Sequence, residues 1–245
     1  IHGHAEHLDG RQRHVVDRAE VFEEVVKLKH HADLCARHFS AIAWFEAGDD
    51  AQALAREAAE ARIFQCPTQH FRMTYWRAEP PELVRARDGV EWMPRADVER
   101  WEHWLTDEPL EPAARERGLA SIPARLAFLR ALDEAGAPLL VSGSHGWFIP
   151  PGFGLLEELR LYARAGISSA HALRAASRTL AEFYGTASFG VIAAGQRADL
   201  VLLTADPLAE LGNLRRIEGT LARGRWYEQT ELLTRIRALR DATDA

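Results

Sequence analysis

The stretch Pro138–Gly166, PLLVSGSHGWFIPPGFGLLEELRLYARAG, decides how the chain is interpreted. Leu139, Leu140 and Val141 predict a short buried strand that ends at a turn of small residues. His145 follows this turn, and an aromatic, proline-rich loop then leads into an amphipathic helix. In α/β folds ligands bind beyond the carboxyl ends of the strands. We therefore predict a functional role for His145, with a simple loop cap as the alternative.

Composition describes an ordinary folded protein and argues against several classes of partner. Of 245 residues, 47% are hydrophobic and 27% are charged, and the net charge is -6. This acidic balance, without a basic run, argues against a nucleic-acid partner. No apolar run approaches the roughly 18 residues of a membrane span. No signal peptide is visible, and Cys35 and Cys66 lack disulfide or ligand spacing, so we expect a cytoplasmic protein with reduced thiols.

The first ten residues, IHGHAEHLDG, contain three histidines and no initiating Met. This beginning predicts that the sequence starts within a domain, and its Gly, Ala and Glu residues are unlike a purification tag. In a strand His2 and His4 would share one face, and His7 would point to the other. Because imidazole is a common metal ligand, at least one of the three is a candidate for a metal site.

The segment from Arg62 to Trp76 predicts a short buried strand and then a loop over a pocket. Pro67 stops the strand, and an aromatic cluster ends the loop. His70 lies within this loop and is a candidate substrate-binding residue. Further along, the i, i+3 pair Trp101 and Trp104 predicts a helix packed against the body of the protein.

Helical spacing of apolar residues predicts one helix on each side of the Leu139 strand. The first spans residues 122–135 and ends at Gly136. The second has an inward stripe of Leu155, Leu159 and Tyr162, which places Glu157 and Glu158 on its other faces. Ser168 is a good N-cap for a further helix.

From about residue 188 the pattern changes from helices to strands. Residues 189–203 predict two short strands around a Gly195 turn, and Ile217–Tyr227 predicts another pair around Arg223-Gly224. We therefore divide the chain into residues 1–187, a set of strands at 188–229, and a terminal helix at 230–245.

Several motifs of the chain resemble the amidohydrolase superfamily, in its imidazolonepropionase-like and prolidase-like branch. They are GVIAAGQRADLVLL from Gly190, ADPL from Ala205, RGRW from Arg223, EHLDG from Glu6, and Pro67-Thr68 after an apolar strand. The resemblance covers residues 6 to 228. It implies an α/β fold, here the C-terminal part of a metal-dependent-hydrolase (β/α)8 barrel with strands of a small β-sandwich. Residues 1–187 would hold barrel strands 6 to 8.

The same resemblance implies hydrolysis of amide or cyclic amide carbon-nitrogen bonds by metal-activated water. The expected cofactor is a divalent metal, zinc, which lowers the pKa of its bound water, while an Asp on the eighth strand takes the proton. His7 matches the sixth-strand metal ligand, and His4 could instead match the fifth-strand ligand. Two parallel strands need a crossover of a dozen or more residues between them, so both matches cannot hold at normal spacing. His145 falls at the position of the catalytic Asp.

Two departures from the family pattern leave two hypotheses open. The only lysines are Lys27 and Lys29, so no candidate exists for a carboxylated fourth-strand Lys. No Asp occurs between Asp133 and Asp199, so His145 replaces the catalytic carboxylate. The chain is either part of a metal-dependent hydrolase, carrying only part of the site, or a degenerate homologue or fragment that acts as a binding or scaffold protein.

Substrate and assembly follow from the same interpretation. The loops at 69–92 and 147–153 would line the pocket, with His70, Trp147 and Phe148 contacting a small-molecule substrate that has apolar or cyclic groups. A partial barrel leaves open strand edges and apolar faces. We therefore expect self-association, or a missing N-terminal half that covers them.

Overall fold

The computed structural model describes residues 48–108, 110–143 and 146–244, with side chains from residue 51 onward. Within these ranges the chain forms nine α-helices, two 3-10 helices and three strands, a mixed helix and sheet protein. The α-helices are Gly48–Glu60 (α1), Gln69–Tyr75 (α2), Pro81–Arg85 (α3), Arg95–Thr106 (α4), Pro112–Glu134 (α5), Phe153–Arg164 (α6), Ser169–Ala175 (α7), Arg178–Phe183 (α8) and Gln229–Thr243 (α9). The 3-10 helices are Val90–Trp92 and Leu211–Arg215, and the strands are Leu200–Leu203 (β1), Ile217–Ala222 (β2) and Arg225–Glu228 (β3). No helix in these ranges is long and apolar enough to cross a membrane.

The described residues fall into two compact units. Among the described residues the first unit holds 48–65 and 110–139, and in it α1 packs against α5. A parallel bridge joins Gln65 to Leu139, and the backbone N–H of Gln65 donates a 2.9 Å hydrogen bond to the carbonyl of Pro138. The two predicted strands are therefore present as a single parallel bridge between residues that each follow a helix of this unit.

Helix α5 begins earlier than the sequence predicted. It starts at Pro112, where the side chain of Glu111 accepts a 3.1 Å hydrogen bond from the backbone N–H of Ala114. Pro123 lies inside the helix, one residue after the start that the sequence predicted at residue 122. The predicted end is confirmed, because Gly136 follows the helix with a φ of 77°.

Among the described residues the second unit holds 66–108, 140–143 and 146–244. Its aromatic core contains Val84, Trp101, Trp104, Leu105 and Phe148, all of them buried. Trp101 and Trp104 lie on α4, which confirms the prediction that this pair packs a helix against the body of the unit. The apolar area that such residues remove from water is the main favourable term in folding.

Helices α6 and α7 follow the sequence pattern with one exception. Leu159 and Tyr162 are buried, and the Tyr162 hydroxyl donates a 2.6 Å hydrogen bond to the carbonyl of Leu140. Ser168 caps α7 by accepting a 3.2 Å hydrogen bond from the backbone N–H of His171. The placement of Glu158 away from the buried stripe is wrong, because its side chain is buried.

The three strands form an antiparallel sheet in the order β1-β2-β3. The pair β2 and β3 turns at Arg223-Gly224, as predicted, and both turn residues have positive φ, at 50° and 77°. The pair predicted around Gly195 is wrong in its first half, because only β1 forms and Ile192 is 87% exposed. The backbone N–H of Arg197 instead donates to the carbonyl of Ser188, which folds the segment back on itself.

Candidate functional site

Three of the six residues predicted for the site are described by the structure. His70 lies on α2, and Trp147 and Phe148 lie in the loop before α6. His4, His7 and His145 lie outside the described residues, so their predicted roles stay predictions.

Trp147 and Phe148 are the central residues of a tight turn. Gly146 and Ile149 exchange backbone hydrogen bonds across it, at 3.1 Å from the Gly146 N–H and 2.7 Å from the Ile149 N–H. Both central residues have positive φ, at 33° for Trp147 and 61° for Phe148. Such turns normally carry Asn or Gly, and a bulky side chain there costs on the order of 1 to 2 kcal/mol per residue. The surrounding packing must therefore hold this turn in place.

That packing comes from aromatic rings. Trp147 stacks on Trp104 with 5.1 Å between ring centroids, and it also meets Phe71 at 5.4 Å and Tyr75 at 5.9 Å. We call these four residues the aromatic platform. Phe148 is fully buried, 5.5 Å from the ring of Trp101. Trp147 keeps part of its surface accessible, so it can contact a ligand while Phe148 anchors the turn.

Arg87 connects the turn to helix α2. Its guanidinium donates to the Thr74 hydroxyl at 2.9 Å and to the Phe148 carbonyl at 3.3 Å. It also forms an ion pair with Glu79 at 2.9 Å. A guanidinium presents its donors in a fixed planar fork, so this one side chain constrains both segments together.

His70 is buried, with 6% of its surface exposed, and its imidazole stays neutral. Desolvation, and then the positive charge of Arg87, lower the pKa of His70 from 6.5 to about 3. A general acid or base at neutral pH needs a pKa near 7. The described environment of His70 therefore does not suit proton transfer at neutral pH.

Glu158, which was not predicted from the sequence as a site residue, holds the start of helix α2. Its carboxylate, 1% exposed, accepts hydrogen bonds from two consecutive backbone N–H groups, Gln69 at 2.8 Å and His70 at 2.6 Å. A signal for burial was present, because Glu158 lies four residues before Tyr162 and so shares the inward face of α6. The partners could not be found from the sequence, because backbone N–H groups carry no sequence signal.

Cys66 lies close to this carboxylate. The residue is exposed on the surface, yet atoms around the thiol desolvate it and the negative charge of Glu158 adds to the effect, so the pKa of Cys66 is raised. A hydrogen bond with Ser142 opposes this shift. Because the reactive form is the thiolate, the raised pKa makes the thiol of Cys66 a weaker nucleophile at neutral pH.

Comparison with known proteins decides the family. A model of the amidohydrolase family matches residues 1–227. The chain belongs to the amidohydrolase family. The resemblance inferred from its motifs is thereby confirmed, and no curated protein matches the amidohydrolase chain.

Solved structures similar to this amidohydrolase include a bottromycin amidohydrolase, with 27% identity and a TM-score of 0.59. The match covers 77% of this chain and 41% of that one. A prolidase complexed with N-methylphosphonate-L-proline matches with 19% identity and a TM-score of 0.50, over 72% of this chain and 38% of that one. The chain spans less than half the length of each of these structures.

Among the described residues no metal site forms. No group of three or more His, Cys, Asp or Glu side chains lies close enough together there to hold a metal ion. The carboxylate of Glu158 is engaged by the backbone N–H groups of Gln69 and His70. The described part of this amidohydrolase therefore does not form a metal site by itself.

Proposed function

We propose that the protein hydrolyses carbon-nitrogen bonds of amides or cyclic amides by metal-activated water, with this chain carrying only part of the site. The observation that carries the proposal is the match of the amidohydrolase family model to residues 1–227. The similarity to a bottromycin amidohydrolase, at 27% identity and a TM-score of 0.59, supports it further.

The proposed architecture is the C-terminal part of a (β/α)8 barrel within residues 1–187, followed by β-sandwich strands at 188–229. The parallel bridge between Gln65 and Leu139 supports a barrel origin, because neighbouring barrel strands are parallel. The antiparallel sheet of β1, β2 and β3 supports a separate layer of strands near the end of the chain.

The proposed metal is zinc, with His7 or His4 as a ligand and His145 at the position of the catalytic Asp. A bound zinc ion would lower the pKa of a water molecule towards neutrality. Imidazole nitrogen is a suitable zinc ligand, and a neutral imidazole can also accept a proton. These three residues lie outside the described ranges, so the proposal for them rests on the sequence resemblance.

The aromatic platform is the proposed substrate-contact surface of the described region. Trp147 offers a partly accessible ring, which suits an aromatic or cyclic apolar group of a small-molecule substrate. His70 is proposed to hydrogen-bond a polar group of the same substrate as a neutral imidazole. Phe148 acts from within the core, where it anchors the turn that presents Trp147.

A non-catalytic binding or scaffold protein is the alternative. Two sequence observations favour it: His145 replaces the carboxylate, and the only lysines are Lys27 and Lys29. A neutral His cannot supply the negative charge that helps to hold a second cation. In this alternative the aromatic platform still binds a ligand, but no bond is cleaved.

A hydrolysis assay with phenylalanyl-proline distinguishes the two. This dipeptide pairs an aromatic side chain for Trp147 with a proline amide, and one similar structure holds a proline analogue. For the complete gene product loaded with zinc, the hydrolase proposal predicts cleavage. It also predicts that His145→Ala lowers kcat by roughly 100-fold or more, as expected when a proton-accepting group is removed.

The matched control is His171→Ala, which alters an exposed histidine on α7 and should leave kcat unchanged. Stoichiometric zinc without cleavage of phenylalanyl-proline or of N-acyl amino acids would favour the binding protein over the hydrolase.

A further inference from the structure

The position of helix α2 depends on a carboxylate that is distant in sequence. Glu158 lies 88 residues from His70 and 89 from Gln69, yet it accepts hydrogen bonds from both of their backbone N–H groups. Removing a carboxylate from water is costly, and charge-assisted hydrogen bonds at a helix N-terminus offset that cost. The contact is therefore specific to this pair of segments.

Local interactions alone do not fix α2. It has seven residues, below the length at which an isolated helix is stable in water. Thr68 at its N-cap has a left-handed backbone, with φ 46° and ψ 50°, and its side chain makes no capping hydrogen bond. Tertiary contacts must supply the missing constraint, and α2 packs against α6, which carries Glu158.

Helix α2 in turn supplies half of the aromatic platform. Phe71 and Tyr75 are four residues apart, so they share one face of α2, and both meet the ring of Trp147. His70 precedes Phe71 and is one of the two residues whose N–H the carboxylate holds. A continuous chain of contacts thus leads from Glu158 through α2 to Trp147.

We propose that Glu158 is a positioning residue, whose carboxylate sets the orientation of α2 and thereby places His70 and the Trp147 ring for substrate contact. The proposal rests on the proposed function of the aromatic platform. In the alternative, Glu158 only caps the N-terminus of α2, and its loss would lower stability without affecting substrate contact.

The test compares Glu158→Gln with Glu157→Gln in the complete gene product. The substitution Glu158→Gln keeps the shape of the side chain but presents one oxygen and one N–H2 group, so one of the two backbone hydrogen bonds is lost. Glu157 is its neighbour on α6 and pairs with Arg160 at 3.1 Å and with Arg215, so it controls for the loss of a carboxylate from the same helix.

Three readouts are needed. Nuclear magnetic resonance shows the amide protons of Gln69 and His70, which lie downfield when they donate to a carboxylate. Circular dichroism shows the couplet of the stacked Trp104 and Trp147 rings. The Trp147→Phe variant identifies which part of the spectrum comes from this stack. Kinetics with phenylalanyl-proline gives KM and kcat separately.

For Glu158→Gln we expect upfield amide shifts, an altered tryptophan couplet, and a KM raised roughly tenfold while kcat changes far less. Glu157→Gln should leave all three unchanged. If Glu158→Gln lowers the Tm but leaves the couplet and KM at their wild-type values, Glu158 is a structural cap and the proposal is overturned.

Two further arms keep the test decisive. If Glu158→Gln does not fold, Glu158→Asp replaces it, because aspartate keeps the negative charge on a shorter side chain. If the amide signals of Gln69 and His70 shift in the folded Glu158→Asp variant but the tryptophan couplet does not change, the proposal is overturned. If the wild-type protein does not cleave phenylalanyl-proline, the proposed hydrolysis fails for this substrate, while the amide shifts and the couplet still decide whether Glu158 sets the position of Trp147.

Discussion

The ring of Trp147 lies over the ring of Trp104 at a centroid distance of 5.1 Å and an interplanar angle of 20°. This stack joins a turn with left-handed backbone to the buried face of helix α4. An aromatic pair of this kind adds about 0.5 to 1.5 kcal/mol beyond the area that it buries. The stack therefore helps to offset the backbone strain at Trp147 and leaves the ring rigidly presented.

Backbone strain at Trp147 predicts that a glycine variant is more stable than an alanine variant, the reverse of the usual order. Trp147→Gly and Trp147→Ala both remove the ring, but only Ala keeps a Cβ at a φ of 33°. Glycine adopts positive φ without that penalty, so Trp147→Gly should be the more stable of the two by about 1 kcal/mol. Chemical denaturation measures the difference. If Trp147→Ala is more stable than Trp147→Gly, residue 147 leaves the positive-φ conformation when the ring is removed, and the prediction is wrong.

The β2–β3 turn predicts a stabilising substitution. Arg223 has a φ of 50° and precedes Gly224, so Arg223→Asn creates the Asn-Gly pair that two-residue hairpin turns prefer. We expect a gain of about 0.5 to 1 kcal/mol in the free energy of unfolding. The backbone N–H that donates to Asp199 is retained. Arg223→Ala is the control, and equal stability of the Asn and Ala variants would contradict the assigned turn.

Burial of neutral His70 predicts a pH dependence of stability. The pKa is about 3 in the folded protein and near 6.5 when unfolded, so the unfolded state binds a proton that the folded state does not. The contribution of His70 is present above pH 6.5 and is lost as the pH falls from there towards 3. Its slope approaches about 1.4 kcal/mol per pH unit.

His70→Gln removes this titration and leaves the other groups in place. The difference in unfolding free energy between wild type and His70→Gln should be constant above about pH 7 and should decrease as the pH falls from about 6 to about 4. A difference that does not vary over that range would mean that the imidazole is accessible to protons in the folded state.

The sequence predicted the buried stripe and the cap of two helices, but residues 69–75, expected as a loop, form helix α2. The stripe of Leu159 and Tyr162 and the cap at Ser168 depend on neighbours within one helix, and the structure has them. The strand expected near Val191 and Ile192 did not form, because a strand needs a partner and an apolar run does not specify one.

The arrangement of residues around Trp147 could be predicted from the sequence only in part. An aromatic loop after a short strand pointed to Trp147, but Glu158 was assigned to the solvent side because a carboxylate is rarely buried without a partner. Its partners are backbone N–H groups 88 and 89 residues away. The left-handed turn at Trp147 could not be predicted from the sequence either, because bulky aromatic residues are unusual at turn positions with positive φ.

The exposed strand β1 predicts association of the isolated chain. β1 lies at the edge of the described sheet, and Val201 and Leu202 are 54% and 49% exposed. Val201→Lys should reduce association measured by light scattering, because a charge protects an edge strand. Leu239→Lys on α9 is the matched control, since Leu239 is 69% exposed but lies on a helix. A monodisperse wild-type monomer would contradict this prediction.

The most direct test of the central claim is the rate of phenylalanyl-proline hydrolysis by the complete gene product, before and after chelation and after zinc is restored. Membership of the amidohydrolase family and the proposed zinc ligands predict hydrolysis that chelation abolishes and zinc restores. Hydrolysis that is unchanged by complete removal of the metal, or no hydrolysis from a protein with stoichiometric zinc, would contradict the account.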